Sequence, residues 1–379
     1  MTTERPRARW KEIWTPWRCF IGCLLLLEVA WLLFPPPGDL VERWYSQGLF
    51  RMVGAVMVWH QDRLPVSLSS LLIALVLGVV VLQGAVKFRR VRAQGERFWQ
   101  FVGWFVAHVF QWGIVLLFWM LLSWGAGYQR SPVEVRWSLD MTPPTVAEVG
   151  QLQSQLLAII QESADQASGE DTAGAIAAIS EAMEGLVIAR GETPVHLPEQ
   201  VRASIPGAFL ISSTMGMCMP PVVEPWVDGA LDPVTFTRVA AHELGHVAGY
   251  NRESEATLLG YLAGLNAEDD LARYATALGI YLDLIRREPD PEVYRVAWEA
   301  LPLRAREDGT LSWEIQERYR IKNRLYQRVG FHAYDTYLKS QGIKEGMVNY
   351  SMGLRLFVGA WRNGLTAPHL RPETVGESS

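Results

Sequence analysis

Three long apolar runs fill the first third of the chain, and an amphipathic, helix-spaced pattern fills most of the rest. Cys19 to Phe34, Val66 to Phe88 and Phe98 to Trp124 carry few charges. A helix needs about 17 to 25 such residues to cross a hydrocarbon layer. Spans are therefore predicted at about 17–34, 66–88 and 98–124. Gly48 to His60 (GLFRMVGAVMVWH) is amphipathic and is expected to lie along a membrane surface. Further on, Leu152, Leu156, Ile159 and Ile160, then Ala175, Ile176, Ile179, Met183 and Leu186, predict two helices broken near Ser168-Gly169. Ala208 to Met217 is short and β-rich and runs into Pro220-Pro221, which makes it an edge strand or a loop. Asp232-Pro233 opens a helix to Gly249: the aspartate can cap free amides, and proline suits the first turn. More helices are predicted at Glu253 to Leu265, Leu271 to Arg287, Pro291 to Leu301, Trp313 to Leu338 and Tyr350 to Trp361. The fold class is thus mainly α: a membrane part (1–130) with three transmembrane helices, a mostly helical domain with a small β element (131–370), and a tail (371–379).

Charge orients this arrangement. The net charge is only -5, yet up to Trp124 the chain holds thirteen Lys/Arg against seven Asp/Glu, and the remainder is strongly acidic. Arg5, Arg7, Arg9, Lys11 and Arg18 precede the first run, and Lys87, Arg89, Arg90, Arg92 and Arg97 separate the second from the third. Positive residues stay on the cytoplasmic side, so the N-terminus and the 87–97 loop are expected there and everything after Trp124 outside the cytoplasm. No small-residue cleavage site precedes Pro35-Pro36-Pro37, so the first run reads as a retained helix. Glu28, Gln83, His108 and Gln111 fall inside the spans, where hydrogen bonds between helices are the expected role. Cys19, Cys23 and Cys218 form no disulfide framework. The acidic half has no basic stripe with interleaved aromatics, so nucleic acid is not an expected partner.

The candidate chemistry lies in His242-Glu243-Leu244-Gly245-His246. Histidines four apart on a helix share one face and can offer ring nitrogens to one ion. Glu243 reaches the same side and is placed to take a proton from water on the metal, as general base. Zinc suits two imidazoles, a carboxylate and one open position. Gly249 can end the helix in a left-handed turn that sends the chain back toward the metal. Glu253 and Glu255, two apart, point in different directions on the next helix, so only one can be the third ligand. Glu253 is preferred, since Ala256 three residues on permits close helix approach, and Glu255 is the alternative.

HELGHVAGYNRESEATLLGYLAG resembles the core of an uncharacterised family of bacterial membrane proteins, with the approximate pattern HELAHxxGFxREDEANFLAYLA. Trp124 to Arg130 (WGAGYQR), Phe209 to Pro225, Tyr334 to Lys339 and Asn349 to Leu356 also resemble that family. The HExxH and ExxA segments are similar to those of gluzincin peptidases, which implies a zincin-like domain with Glu253 as third zinc ligand. Thr257 stands where those patterns carry Asp or Asn, the partner of a zinc-binding histidine. For the developing oxyanion, His332, Tyr334 and Tyr350 are chemically able, and Tyr350 lies in a family-like segment. The expected activity is that of a membrane-anchored zinc metallopeptidase acting on a peptide or protein substrate, with the lipid bilayer as its other partner. Two rivals stand beside it: a non-catalytic zinc-binding sensor or assembly protein, and a metallohydrolase of a non-protein amide. An intramembrane protease is disfavoured, because Asn251, Arg252, Glu253 and Glu255 follow the motif. The sequence sets no oligomeric state.

Overall fold

A computed structural model of the protein describes residues 15–95, 97–167, 171–220, 222–340, 349–367 and 370–372. Helix α1 (Pro16–Leu33) opens on Thr15, whose hydroxyl accepts from the Arg18 amide at 3.3 Å. Helices α3 (Leu68–Ala93) and α4 (Phe98–Ser123) are the other two long apolar rods. The intervening residues form a nine-residue π-helix (Val41–Leu49) continuous with α2 (Phe50–Arg63). Helix α4 lies between α1, which it meets through Ile21, Leu24 and Ile114, and α3, where Gly84 admits the Phe105 ring. The polar residues of these rods bond across helices as expected: His108 to Gln83, and the Trp17 indole to Gln111 at 2.7 Å. Glu28 is buried, and its Oε1 has no hydrogen-bond partner among the described residues.

Apolar side chains such as Leu26, Leu75, Trp99 and Phe110 cover the outside of the rods, a surface that fits lipid and not water. Helix α2 is inverted in the same sense. Its Arg51 is 7% exposed, whereas Met52 is 70% and Val56 62% exposed. Such a helix suits a membrane surface on one side and a protein on the other.

After Trp124 the chain builds a mostly helical domain: α5 (Val146–Ser163), α6 (Thr172–Ala189), α7 (Pro233–Val247), α8 (Glu253–Asn266), α9 (Asp270–Ile285), α10 (Pro291–Ala300), α11 (Leu303–Tyr319), α12 (Arg324–Ser340) and α13 (Asn349–Arg362). The expected break between α5 and α6 near Ser168-Gly169 lies outside the described residues, as does most of the expected tail. Among the described residues, four helices, α1, α3, α4 and α6, are long and apolar enough to cross a membrane. However, α6 buries Ile176, Ile179, Met183 and Val187 in the same core as α7 to α9. Its apolarity serves packing.

Ala208 to Met217, expected as an edge strand or a loop, is mostly the latter: turns and a short 3-10 helix (Leu210–Ser212), with a strand starting only at Gly216. The Asp228 carboxylate accepts from the Gly207, Phe209 and Leu210 amides and winds this piece up locally. The sheet is instead β1 (Arg202–Ala203), β2 (Gly216–Met219) and β3 (Glu224–Val227) in the order β1-β3-β2. β2 is an edge strand, antiparallel to β3, with Met217 opposite Trp226. The helix expected from Trp313 to Leu338 is two helices, α11 and α12. Asn323 breaks it, because its side chain accepts from the Leu325 and Tyr326 amides and caps α12.

The sheet is also tied to the membrane part. Glu224 on β3, fully buried, accepts from the Ser67 hydroxyl at 2.8 Å and from the Ser69 amide at 3.1 Å, at the N-terminus of α3. A carboxylate there satisfies free amides and meets the positive end of the helix dipole.

Candidate metal centre

Helix α7 starts as the sequence predicts, with Asp232 accepting from the Thr235 amide at 2.9 Å. It ends in a Schellman turn: Gly249 donates to the His246 carbonyl, and Tyr250 donates to that of Gly245, with Gly249 at φ +85°. The chain then turns into α8, whose first residue is Glu253. The two helices cross at backbone contact. A Cβ on Gly245 would lie 2.8 Å from the Ala256 carbonyl oxygen, and one on Gly260 about 3.0 Å from the Ala241 backbone.

This crossing brings three side chains together. Glu253 Oε2 lies 3.1 Å from His242 Nε2 and 3.3 Å from His246 Nε2. His242, His246 and Glu253 form the one group of three His/Cys/Asp/Glu residues among the described residues with the geometry to hold a metal ion. Glu255, the alternative, points elsewhere. It accepts from the Val133 amide at 3.0 Å and faces Arg136.

The Nδ1 atoms are already engaged. His246 Nδ1 is 2.8 Å from the Tyr250 carbonyl oxygen, which can only accept, so Nδ1 carries the hydrogen. His242 Nδ1 is 3.1 Å from the Thr257 hydroxyl, which itself donates to the Glu253 carbonyl at 2.8 Å and so accepts from the ring. In the neutral tautomer that these bonds select, each ring turns a lone pair on Nε2 toward a carboxylate oxygen. Three acceptors facing one another could hold a cation between them, and the donor set is of a type that zinc accepts. Without a metal the burden falls on protons. Burial disfavours charge on His246, yet Glu253 beside it outweighs that and pushes its pKa up to about 9. Burial likewise works against the Glu253 carboxylate, but the two imidazoles hold it well below the usual range.

Glu243 is buried between α7 and β2. A Cβ on Gly216 would lie 2.6 Å from its Oε1, so the strand passes at a distance that only glycine allows. The Cys218 amide donates to the carboxylate, and Oε2 has no hydrogen-bond partner among the described residues. Burial raises its pKa, opposed by the charges of His242 and His246. Cys218 itself is a buried thiol, pushed up by desolvation.

Of the residues considered for an oxyanion, His332 is exposed on α12, and the side chains of Tyr334 and Tyr350 lie outside the described residues. The backbone at position 350 is informative. Helix α13 runs parallel to α8, with Gly353 against Thr257 and Phe357 against Tyr261. Position 350 lies three residues before Gly353 and by the same offset is level with Ser254, next to Glu253.

Sequence reasoning missed a buried ionic cluster behind the turn. Arg51 donates to the Ala248 carbonyl at 2.6 Å, and Arg130 reaches the Gly249 carbonyl at 3.5 Å. Both pair with Glu192, which also binds Arg136 and the Tyr250 hydroxyl. Arg51 had been placed on a membrane-surface helix, and Arg130 stood out only as part of the WGAGYQR segment.

Fold and site together define a mostly helical protein, consistent with membrane association, that carries a buried His-His-Glu cluster. Residues 45–358 match the family described as Protein of unknown function (DUF3810), and the chain belongs to that family. No curated protein and no solved structure matches it.

Proposed function

We propose that the protein is a membrane-anchored zinc metallopeptidase of gluzincin type, with a zincin-like domain outside the cytoplasm and the N-terminus inside. The observation that carries this reading is the convergence of His242 Nε2, His246 Nε2 and Glu253 Oε2 while both Nδ1 atoms are engaged behind them. Zinc bound there would polarise a carbonyl and bring the pKa of a bound water toward about 7.

The chain's own groups do the remaining work. Glu243 takes and returns the proton: its raised pKa favours holding one, and the Cys218 amide fixes the carboxylate in place. The open edge of β2 passes Glu243, so an extended peptide adding to that edge runs beside the base. Tyr350, whose backbone lies on α13 next to the level of Glu253, is the group we assign to the oxyanion that forms on the scissile carbonyl.

The test uses full-length protein in detergent, assayed for zinc content and for cleavage of a peptide library. We expect close to one zinc per chain and cleavage that Glu243→Gln abolishes while zinc is retained. Zinc with no Glu243-dependent cleavage would replace the peptidase with a zinc-binding sensor, and hydrolysis confined to non-peptide amides would replace it with another metallohydrolase.

A further inference from the structure

The turn that orients His246 is gripped from the membrane side of the molecule. Arg51 comes from α2, and Arg130 follows the end of α4 by seven residues. Their guanidinium groups end on successive carbonyls, Ala248 and Gly249, at the negative end of the α7 dipole. The next carbonyl, that of Tyr250, accepts from His246 Nδ1. The Tyr250 ring lies between Arg130 and Arg136, at 4.9 and 5.1 Å from the two guanidinium carbons. Its hydroxyl donates to Glu192 at 2.8 Å. At the outer end of α4, the Trp124 ring packs 5.4 Å from the His246 ring, and the Trp124 carbonyl accepts from Asn251 at 3.2 Å. Two segments of the membrane half, α2 and the stretch from Trp124 to Arg130, thus touch His246 or the turn that aims it.

The cluster is costly to keep. Arg51, Arg130, Glu192 and Glu255 are each less than a tenth exposed, and buried charges are destabilising unless every one is paired. Glu42 on the π-helix accepts from two nitrogens of Arg130, and Glu192 takes a nitrogen from each of Arg51, Arg130 and Arg136. A surface attachment between two domains needs none of this. An apolar contact would join them as firmly, whereas oriented guanidinium groups fix the direction of the carbonyls they meet.

We propose that Arg51 and Arg130 are positioning residues of the metal centre: the membrane half sets the Ala248–Tyr250 turn, and through it the aim of His246. The proposal rests on the zinc reading above. The experiment uses full-length protein in phospholipid nanodiscs, with zinc affinity measured by chelator competition and ligand geometry by the visible absorption of the cobalt-loaded form. Arg51→Met and Arg130→Met should each weaken zinc binding by about 10- to 100-fold, the range for losing a group that orients a metal-binding histidine, and should shift the cobalt bands. Arg51→Lys, which still reaches one carbonyl, should recover much of the loss. Tyr250→Phe removes only the bond to Glu192, so it should fold and weaken zinc binding several-fold. Glu224→Gln loosens the sheet from α3 without touching the turn; it should lower thermal stability and leave zinc affinity unchanged.

Wild-type affinity and cobalt bands in the two methionine variants and in Tyr250→Phe would overturn the proposal. So would a loss of zinc in Glu224→Gln equal to theirs. A wild-type protein that binds no zinc would instead overturn the reading of the site itself.

Discussion

Thr257 holds His242 from behind, where related zinc patterns carry an acid or an amide. Its hydroxyl is oriented by its own bond to the Glu253 carbonyl, so one short side chain fixes the His242 ring and touches Glu253. Thr257→Val should weaken zinc binding by about 10- to 100-fold in chelator competition, while Thr257→Ser should stay near wild type. A second prediction concerns Glu42. Burial raises its pKa, but the Arg130 bonds dominate and lower it from the ordinary 4.5 to about 2. The unfolded state then binds the proton first, so the pair's contribution is complete above pH 4.5 and lost as pH falls toward 2. Chelator-treated protein should lose stability over that window in urea titrations, and Glu42→Gln should show a shallower dependence. At this scale the cluster is legible in the sequence: His242, Glu243, His246, Gly249 and Glu253 lie within twelve residues, and local helix geometry aligns them. Arg51 and Glu192 were illegible for the converse reason. Arg51 meets Ala248 across 197 positions, and periodicity does not distinguish a buried arginine from a surface one.

Helix crossings turn those local ligands into a site. Gly245 and Gly260 let α7 and α8 touch at backbone distance, and Gly353 lets α13 press on Thr257, where a Cβ would lie 2.7 Å from its methyl carbon. Backbone cannot yield as a flexible side chain can. Gly260→Ala should therefore cost about 1–3 kcal/mol in denaturant unfolding, the range for overpacking a tight core. It should also reduce zinc content, because it separates Glu253 from the histidines. The helices were legible wherever apolar spacing ran unbroken, as in α5 to α9. Legibility failed where a side chain competes with the backbone pattern. Asp228 winds up a segment whose composition favours a strand, and Asn323 starts a new helix inside an amphipathic run. The small sheet was misplaced for the same reason: β2 includes Gly216 and Cys218, and its position is set by its pairing with β3 and by Glu243 beneath it.

Across the whole molecule, the membrane part and the helical domain meet on two sides of the metal helix, at the Arg51 and Arg130 turn and at the Glu224 cap. The proposed orientation can be tested directly. In a background lacking Cys19 and Cys23, Glu307→Cys should react with a membrane-impermeant maleimide on intact cells. Gln94→Cys, in the positively charged loop, should react only after lysis, and the reverse pattern would invert the topology. The three apolar rods were legible from length alone, whereas the apolarity of α6 resembles theirs and only its packing separates it. The Glu224 cap also sets an order of events during synthesis. Ser67 leaves the ribosome 157 residues before its carboxylate partner, and by then all three apolar rods have been made. The N-terminus of α3 waits for β3, and α7 follows β3 in the chain. A nascent chain therefore assembles its His-His-Glu cluster only after its three apolar rods have been made, and a half-made copy carries no such cluster.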